Sequence, residues 1–301
     1  MYSPLVSWSR YVYLAALVGA LVFVLPAAWF PFQLGKLALF VTVLLVSIAL
    51  FVLGRGTREF TRSHGIVFAL LVALLPLMYG LSTLFSINPA VGIKGYGIET
   101  DTLLFTLIAA MAFLFSFVLF RTLRSLRMLL TAVFWALAGI AAFQAIVIVF
   151  GSTLVPFDMF NDRSTNLIGK WNDLGLMIGL LLIFVLGEAE LGHGTPLRKT
   201  VLGTGAVLLT LMLGIVNFGL VWGFILGFSI VLALTVFIIQ KSSQRRGETE
   251  FAPFSNIRFV PWFAISGAVV SLVFIFFGSN INAALTNIFP VSSLEVRPSY
   301  S

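Results

Sequence analysis

Residues 103–150 read LLFTLIAAMAFLFSFVLF, RTLRSLR, MLLTAVFWALAGIAAFQAIVIVF. Two apolar runs, 103–120 and 128–150, flank a loop that holds Arg121, Arg124 and Arg127, and neither run contains a charged side chain. A helix needs about 20 mostly apolar residues to cross the hydrocarbon core of a bilayer. Backbone amides in lipid must find their partners within the same segment, so runs of this length are predicted to be transmembrane helices. Barrel strands would instead alternate apolar and polar residues over about 10 positions, and no such alternation is present.

Working outward, nine runs of this kind are found, near 11–30, 37–53, 65–85, 103–120, 128–150, 174–191, 201–217, 220–240 and 259–277. The expected fold is all-α: a polytopic transmembrane helix bundle of about nine spans in one domain. The composition agrees, with 60% hydrophobic and 10% charged residues. A soluble domain of this length needs more charge than that to cover its surface. Asn217, Phe218 and Gly219 leave only a very tight turn between the seventh and eighth runs, or else one broken, buried hairpin. The first run resembles a signal peptide but has no convincing small-x-small cleavage site, so it is read as a retained helix.

Charge orients the spans. Thirteen of the 18 Lys and Arg residues fall at Arg10 and in the loops around Arg55–Arg62, Arg121–Arg127, Arg198–Lys199 and Lys241–Arg258, that is, in every second gap. The positive-inside rule then places the N-terminus in the cytoplasm and the end of the chain outside. The net charge of +7 follows from those loops. Because the basic residues are spread over short loops and not gathered on one surface, nucleic acid is not an expected partner. With no cysteine, disulfides, thiolate metal sites and a Cys nucleophile are excluded.

Lys36, Lys94, Arg163, Lys170 and Arg297 are the cations outside that pattern, and the expected outer loops are Ser86–Thr102, Gly151–Asp173 and Gly278–Ser301. The first reads SINPAVGIKGYGIETDT. Asn88-Pro89 starts a turn, and three glycines permit tight geometry around Lys94 and Tyr96. It lacks the Gly-Lys-Ser/Thr of a nucleotide-binding loop. Glu99 and Asp101 form a candidate carboxylate pair, or else a solvated connection with a helix-capping acid. In the second loop, Asn166–Asp173 (NLIGKWND) allows two readings. One is an interfacial anchor, with Trp171 in the aromatic belt, Lys170 snorkelling and Asp173 as a helix cap. The other is a sugar or phosphate site, with Trp171 stacking and Lys170 and Asn172 donating hydrogen bonds. In the third loop, Arg297 offers a planar, permanently charged fork suited to a diphosphate, or else makes one more contact with lipid headgroups.

His64 and His193 both fall on the expected cytoplasmic side, no cluster has zinc spacing, and no Gly-x-Ser-x-Gly elbow occurs. Ionisable residues within the spans are nearly missing, which weighs against an ion-driven transporter.

Three segments together resemble the O-antigen ligase and O-antigen polymerase superfamily of bacterial membrane glycosyltransferases. They are Leu84–Thr102 (LFSINPAVGIKGYGIETDT), Asn166–Leu176 (NLIGKWNDLGL) and Glu295–Ser299 (EVRPS), with Phe30–Lys36 (FPFQLGK) as a lesser match. The order of these segments between helices carries the likeness, which spans nearly the whole chain. The resemblance implies a cofactor-free, metal-independent enzyme of the bacterial cytoplasmic membrane. Such an enzyme transfers a glycan, with inversion, from a polyprenyl diphosphate carrier to an acceptor hydroxyl on a glycan or lipid outside that membrane. It also implies that Arg297 neutralises the leaving diphosphate. The substrate-binding candidates are Lys94, Tyr96, Glu99, Asp101, Lys170, Trp171, Asn172 and Asp173. Members of the family carry a His in a large outer loop and further helices beyond it. This chain has neither, so a longer natural protein is expected. Two other readings stand beside it: a transporter or flippase of lipid-linked saccharides, and a metal-dependent polyprenyl-phosphate-sugar transferase using Glu99 and Asp101.

Overall fold

The computed structural model describes residues 4–23, 32–54, 64–95, 102–150, 166–169, 171–191, 195–246 and 260–288. These residues form helices and turns, with no strand among them. In chain order the helices are α1 (Pro4–Val22), α2 (Phe32–Leu53), α3 (His64–Leu84), α4 (Pro89–Lys94), α5 (Leu103–Leu119), α6 (Leu123–Phe150), α7 (Trp171–Leu191), α8 (Pro196–Val216), α9 (Gly219–Arg246) and α10 (Trp262–Ile288). Seven of them, α1, α2, α6, α7, α8, α9 and α10, contain stretches long and apolar enough to cross a membrane. The apolar segments Phe68–Leu84 of α3 and Leu103–Leu119 of α5 are shorter. The chain is thus a multi-pass helical membrane protein.

Several helix ends differ from the hydropathy runs, because caps and packing set them and not apolarity alone. Thr102 caps α5: its Oγ1 accepts from the Phe105 N–H at 3.3 Å, so a hydroxyl and not a carboxylate holds that N-terminus. Asn88-Pro89 opens the short helix α4, with Pro at a position that needs no N–H donor. Helix α7 starts at Trp171, which leaves Asp173 inside the first turn, where its charge still favours the dipole. Helix α10 runs on to Ile288, beyond the apolar run that ends near 277.

The chain divides into two compact units, Met1–Ala136 and Leu137–Ser301, with the boundary inside α6. In the first, α1 and α2 lie antiparallel and are clasped by serines. Ser9 Oγ donates to the Ser47 carbonyl and Ser47 Oγ to the Ser9 carbonyl, each at 2.8 Å. Both serines are fully buried. Lys36 Nζ donates to the Leu21 carbonyl at 3.2 Å, so the cation caps the end of α1. The Tyr13 hydroxyl donates to the Ala112 carbonyl at 2.8 Å, joining α1 to α5, and its ring packs on Phe115 and Phe120. Helix α4 lies close against α3: a Cβ at Gly92 would stand 2.9 Å from Thr83 Cγ2.

In the second unit α7 is central and touches α8, α9 and α10. Much of its circumference is buried, through Leu174, Met177, Ile178, Leu181, Leu182, Val185 and Leu186, while Leu176, Leu180 and Leu191 are exposed on the remaining stripe. A helix buried over most of its circumference packs at the centre of its unit and keeps one stripe free. Glycines bring its neighbours close, since a Cβ at Gly179 would lie 2.1 Å from Val221 Cγ1.

Candidate functional site

One end of the second unit gathers three chain segments: the start of α7, the α8–α9 turn and the last part of α10. The approach to α7 is organised by Asn166, which is 2% exposed. Its Oδ1 accepts from the Ile168 and Gly169 N–H groups, both at 2.9 Å, and its Nδ2 donates to the Gly169 carbonyl at 3.2 Å. Closing so tight a loop puts Gly169 at φ 132°, a conformation open to glycine. Leu167 packs on buried Val147 of α6, which anchors the loop from its other side.

The α8–α9 turn is as short as the sequence suggests. Asn217 adopts the left-handed conformation (φ 51°, ψ 46°), and its N–H reaches back to the Leu213 carbonyl. Asn is the residue that tolerates this geometry best after glycine. Gly175, one turn into α7, fits against the turn: a Cβ there would stand 3.0 Å from Val216 Cγ1 and 3.1 Å from Phe218 Cβ. Helix α10 closes the third side. Asn282 Nδ2 donates to the carbonyls of Gly214 and Ile215 at 3.1 and 2.7 Å, covering groups that the end of α8 leaves without helical partners. A Cβ at Gly278 would meet Asn217 Oδ1 at 2.9 Å. Below these contacts Trp222 and Phe274 stack with centroids 4.1 Å apart and planes 7° off parallel.

The sequence-derived candidates distribute as follows. Trp171 is buried as the first residue of α7, Asn172 is exposed and Asp173 is half-buried, all at this end of the unit. Lys94 is exposed at the C-terminus of α4, in the first unit, where a cation complements the helix dipole. Tyr96, Glu99, Asp101, Lys170 and Arg297 lie outside the described residues. Lys170 directly precedes α7, and Arg297 follows the end of α10 in sequence.

Of the residues that build this end, Asn217 was expected in a tight turn, whereas Asn166 and Asn282 were not singled out from the sequence for these roles. For those two the available signals were weak: an Asn three residues before a Gly, and one of three amides that follow the last apolar run. Among the described residues no group of three or more His, Cys, Asp or Glu side chains could hold a metal ion. No protein-family model matches the chain, and neither a curated protein nor a solved structure matches it.

Proposed function

We propose that the chain is a membrane glycosyltransferase of the O-antigen ligase or polymerase type, resident in a bacterial cytoplasmic membrane. The observation that supports this reading is the end of the second unit just described. The start of α7, preceded in sequence by Asn166–Lys170, and the last part of α10, followed in sequence by Arg297, both pack on the α8–α9 turn. The first lies in one of the three segments in which the family resemblance resides, and the second precedes another, Glu295–Ser299, in sequence. In this reading all nine long helices span the bilayer with the N-terminus inside. The Arg198–Lys199 end of the unit then faces the cytoplasm and the Asn217 end faces outward.

The chemistry follows from charge. The acceptor oxygen forms a bond to the anomeric carbon as the bond from that carbon to the carrier diphosphate breaks; negative charge grows on the departing group, and the hydroxyl proton passes to that group or to water. Fixed cations in a partly dehydrated site stabilise such charge strongly. Arg297 and Lys170 take that part, with Arg297 engaging two phosphate oxygens at once. Asn172 and Asp173 offer hydrogen bonds to sugar hydroxyls, and Lys94, Tyr96, Glu99 and Asp101 are further candidates for substrate binding outside the membrane.

The test is glycan transfer in proteoliposomes charged with a polyprenyl diphosphate-linked oligosaccharide and an acceptor glycolipid. Transfer is expected to persist in EDTA. It is expected to fall by about 100-fold in Arg297→Lys, the range seen when one donor to a developing charge is removed, while insertion is unchanged. Normal transfer in that variant removes Arg297 from the site. Movement of the lipid-linked glycan across the bilayer without bond formation would replace this reading with the transporter.

A further inference from the structure

The opposite end of the second unit holds a carboxylate that the proposed activity does not use. Glu190 is the next-to-last residue of α7 and is 2% exposed. Its Oε2 accepts from the Ala264 N–H at 3.0 Å, and the Phe263 N–H also donates to the carboxylate. Phe263 and Ala264 are the second and third residues of α10. Those are the two positions whose N–H groups an N-cap side chain normally satisfies.

Helix α10 has no such cap of its own. Its N-cap position is Pro261, whose carbonyl accepts the first intrahelical bond from Ile265 at 2.9 Å. Neither Pro261 nor Val260 before it carries a side-chain acceptor. The bonds come instead from a different helix, 74 residues away in sequence, and they set a carboxylate at the positive end of the α10 dipole.

The surroundings leave the carboxylate committed to that task. Glu190 Oε1 is buried with no hydrogen-bond partner. Next to it, α7, α9 and α10 meet tightly: a Cβ at Gly267 would stand 2.6 Å from Ser229 Oγ and 3.1 Å from Leu186 Cδ1. Of the nearby charges, Glu188 on the same helix pairs with Arg198 of α8, and Lys199 of α8 acts on Glu190 electrostatically. Residues 219–240 of α9 and 262–288 of α10 carry no titratable side chain.

We propose that Glu190 is a helix latch: α7 lends α10 its N-cap, and the charge on that carboxylate fixes the start of α10 against α7. This goes beyond the glycosyltransferase reading and does not depend on it. The absence of cysteine from the chain makes a clean test possible. Ala264 is fully buried, so a single Ala264→Cys thiol should react slowly with a membrane-permeant maleimide. Adding Glu190→Ala should speed that reaction about tenfold, as loss of a typical cap would. Glu190→Gln keeps a neutral acceptor and should speed it by about threefold, since charge-assisted bonds are roughly twice as strong as neutral ones. Adding Pro261→Asp to Glu190→Ala supplies a local cap and should restore the protection. An unchanged rate in Glu190→Ala overturns the latch, as does a failure of Pro261→Asp to restore protection. Should Glu190→Ala not accumulate in membranes, the same rescue is read as recovered yield, and a lack of recovery likewise overturns it.

Discussion

Helix α2 is more apolar than α7 and yet far less buried: 17% of its apolar stretch is interior, against 61% for α7. Leu45, Val46, Val52 and Leu53 of α2 are exposed, while Ser47, Leu44 and Phe51 turn inward. In α7 most apolar side chains are covered by α8, α9 and α10, and only one stripe with Leu176, Leu180 and Leu191 stays exposed. The difference shows that in this chain hydropathy measures contact with lipid and not depth in the protein. Lipid tails are as apolar as leucine, so burying leucine against another helix gains little there. Close packing and polar bonds hold helices together instead. That is why glycines at 175, 179, 214, 267 and 278 mark the contacts of the second unit.

The sharpest way to break this contrast is to fill one of those contacts. Gly179→Leu should destabilise the protein by about 3 kcal/mol or prevent folding, because the added side chain would overlap Val221. Unfolding in mixed detergent measures it, and a small loss would mean that α7 is not tightly held. Next in size is Asn282→Leu, which uncovers the Gly214 and Ile215 carbonyls. A loss of about 1 kcal/mol is expected, near the upper part of the range for interhelical bonds in membranes. The serine clasp of α1 and α2 should give a smaller value. A double-mutant cycle of Ser9→Ala and Ser47→Ala is expected to yield a coupling of about 0.6 kcal/mol. At the bottom, Leu45→Ala on the exposed face of α2 should change stability by no more than about 0.5 kcal/mol. A large effect there would mean that α2 has a partner helix on that face.

Much of the helical architecture could be read from the residues because its cause is local. Each apolar run must satisfy its own backbone in lipid, and the side chains that report this are contiguous. The tight Asn217–Gly219 turn was legible for the same reason, as a break of a few residues between two runs. The helix ends were less legible. Thr102, and not a neighbouring acid, caps α5, and α7 begins at Trp171 ahead of its acidic residue. Such choices depend on which loop conformation closes best, and hydropathy does not report that.

The packing at this end of the second unit was legible only in part. Asn166–Asp173 stood out as an unusual cluster, but within it Asn166 ties the loop and Trp171 is buried. Glu190 was passed over because a carboxylate near the end of an apolar run looks like a solvated terminus. Only its bond to Ala264 shows that it serves another helix.

Sequence alone therefore determined the class of the protein: apolar runs separated by short loops with alternating charge, hence helices built for a bilayer. Tertiary structure alone decided which faces of those helices are interior and which polar side chains join them. The first property is fixed by about 20 consecutive residues acting on their own backbone. The second rests on pairs such as Glu190 with Ala264, Asn282 with Gly214 and Tyr13 with Ala112, separated by 74, 68 and 99 residues, which the fold must bring together before any of them means anything.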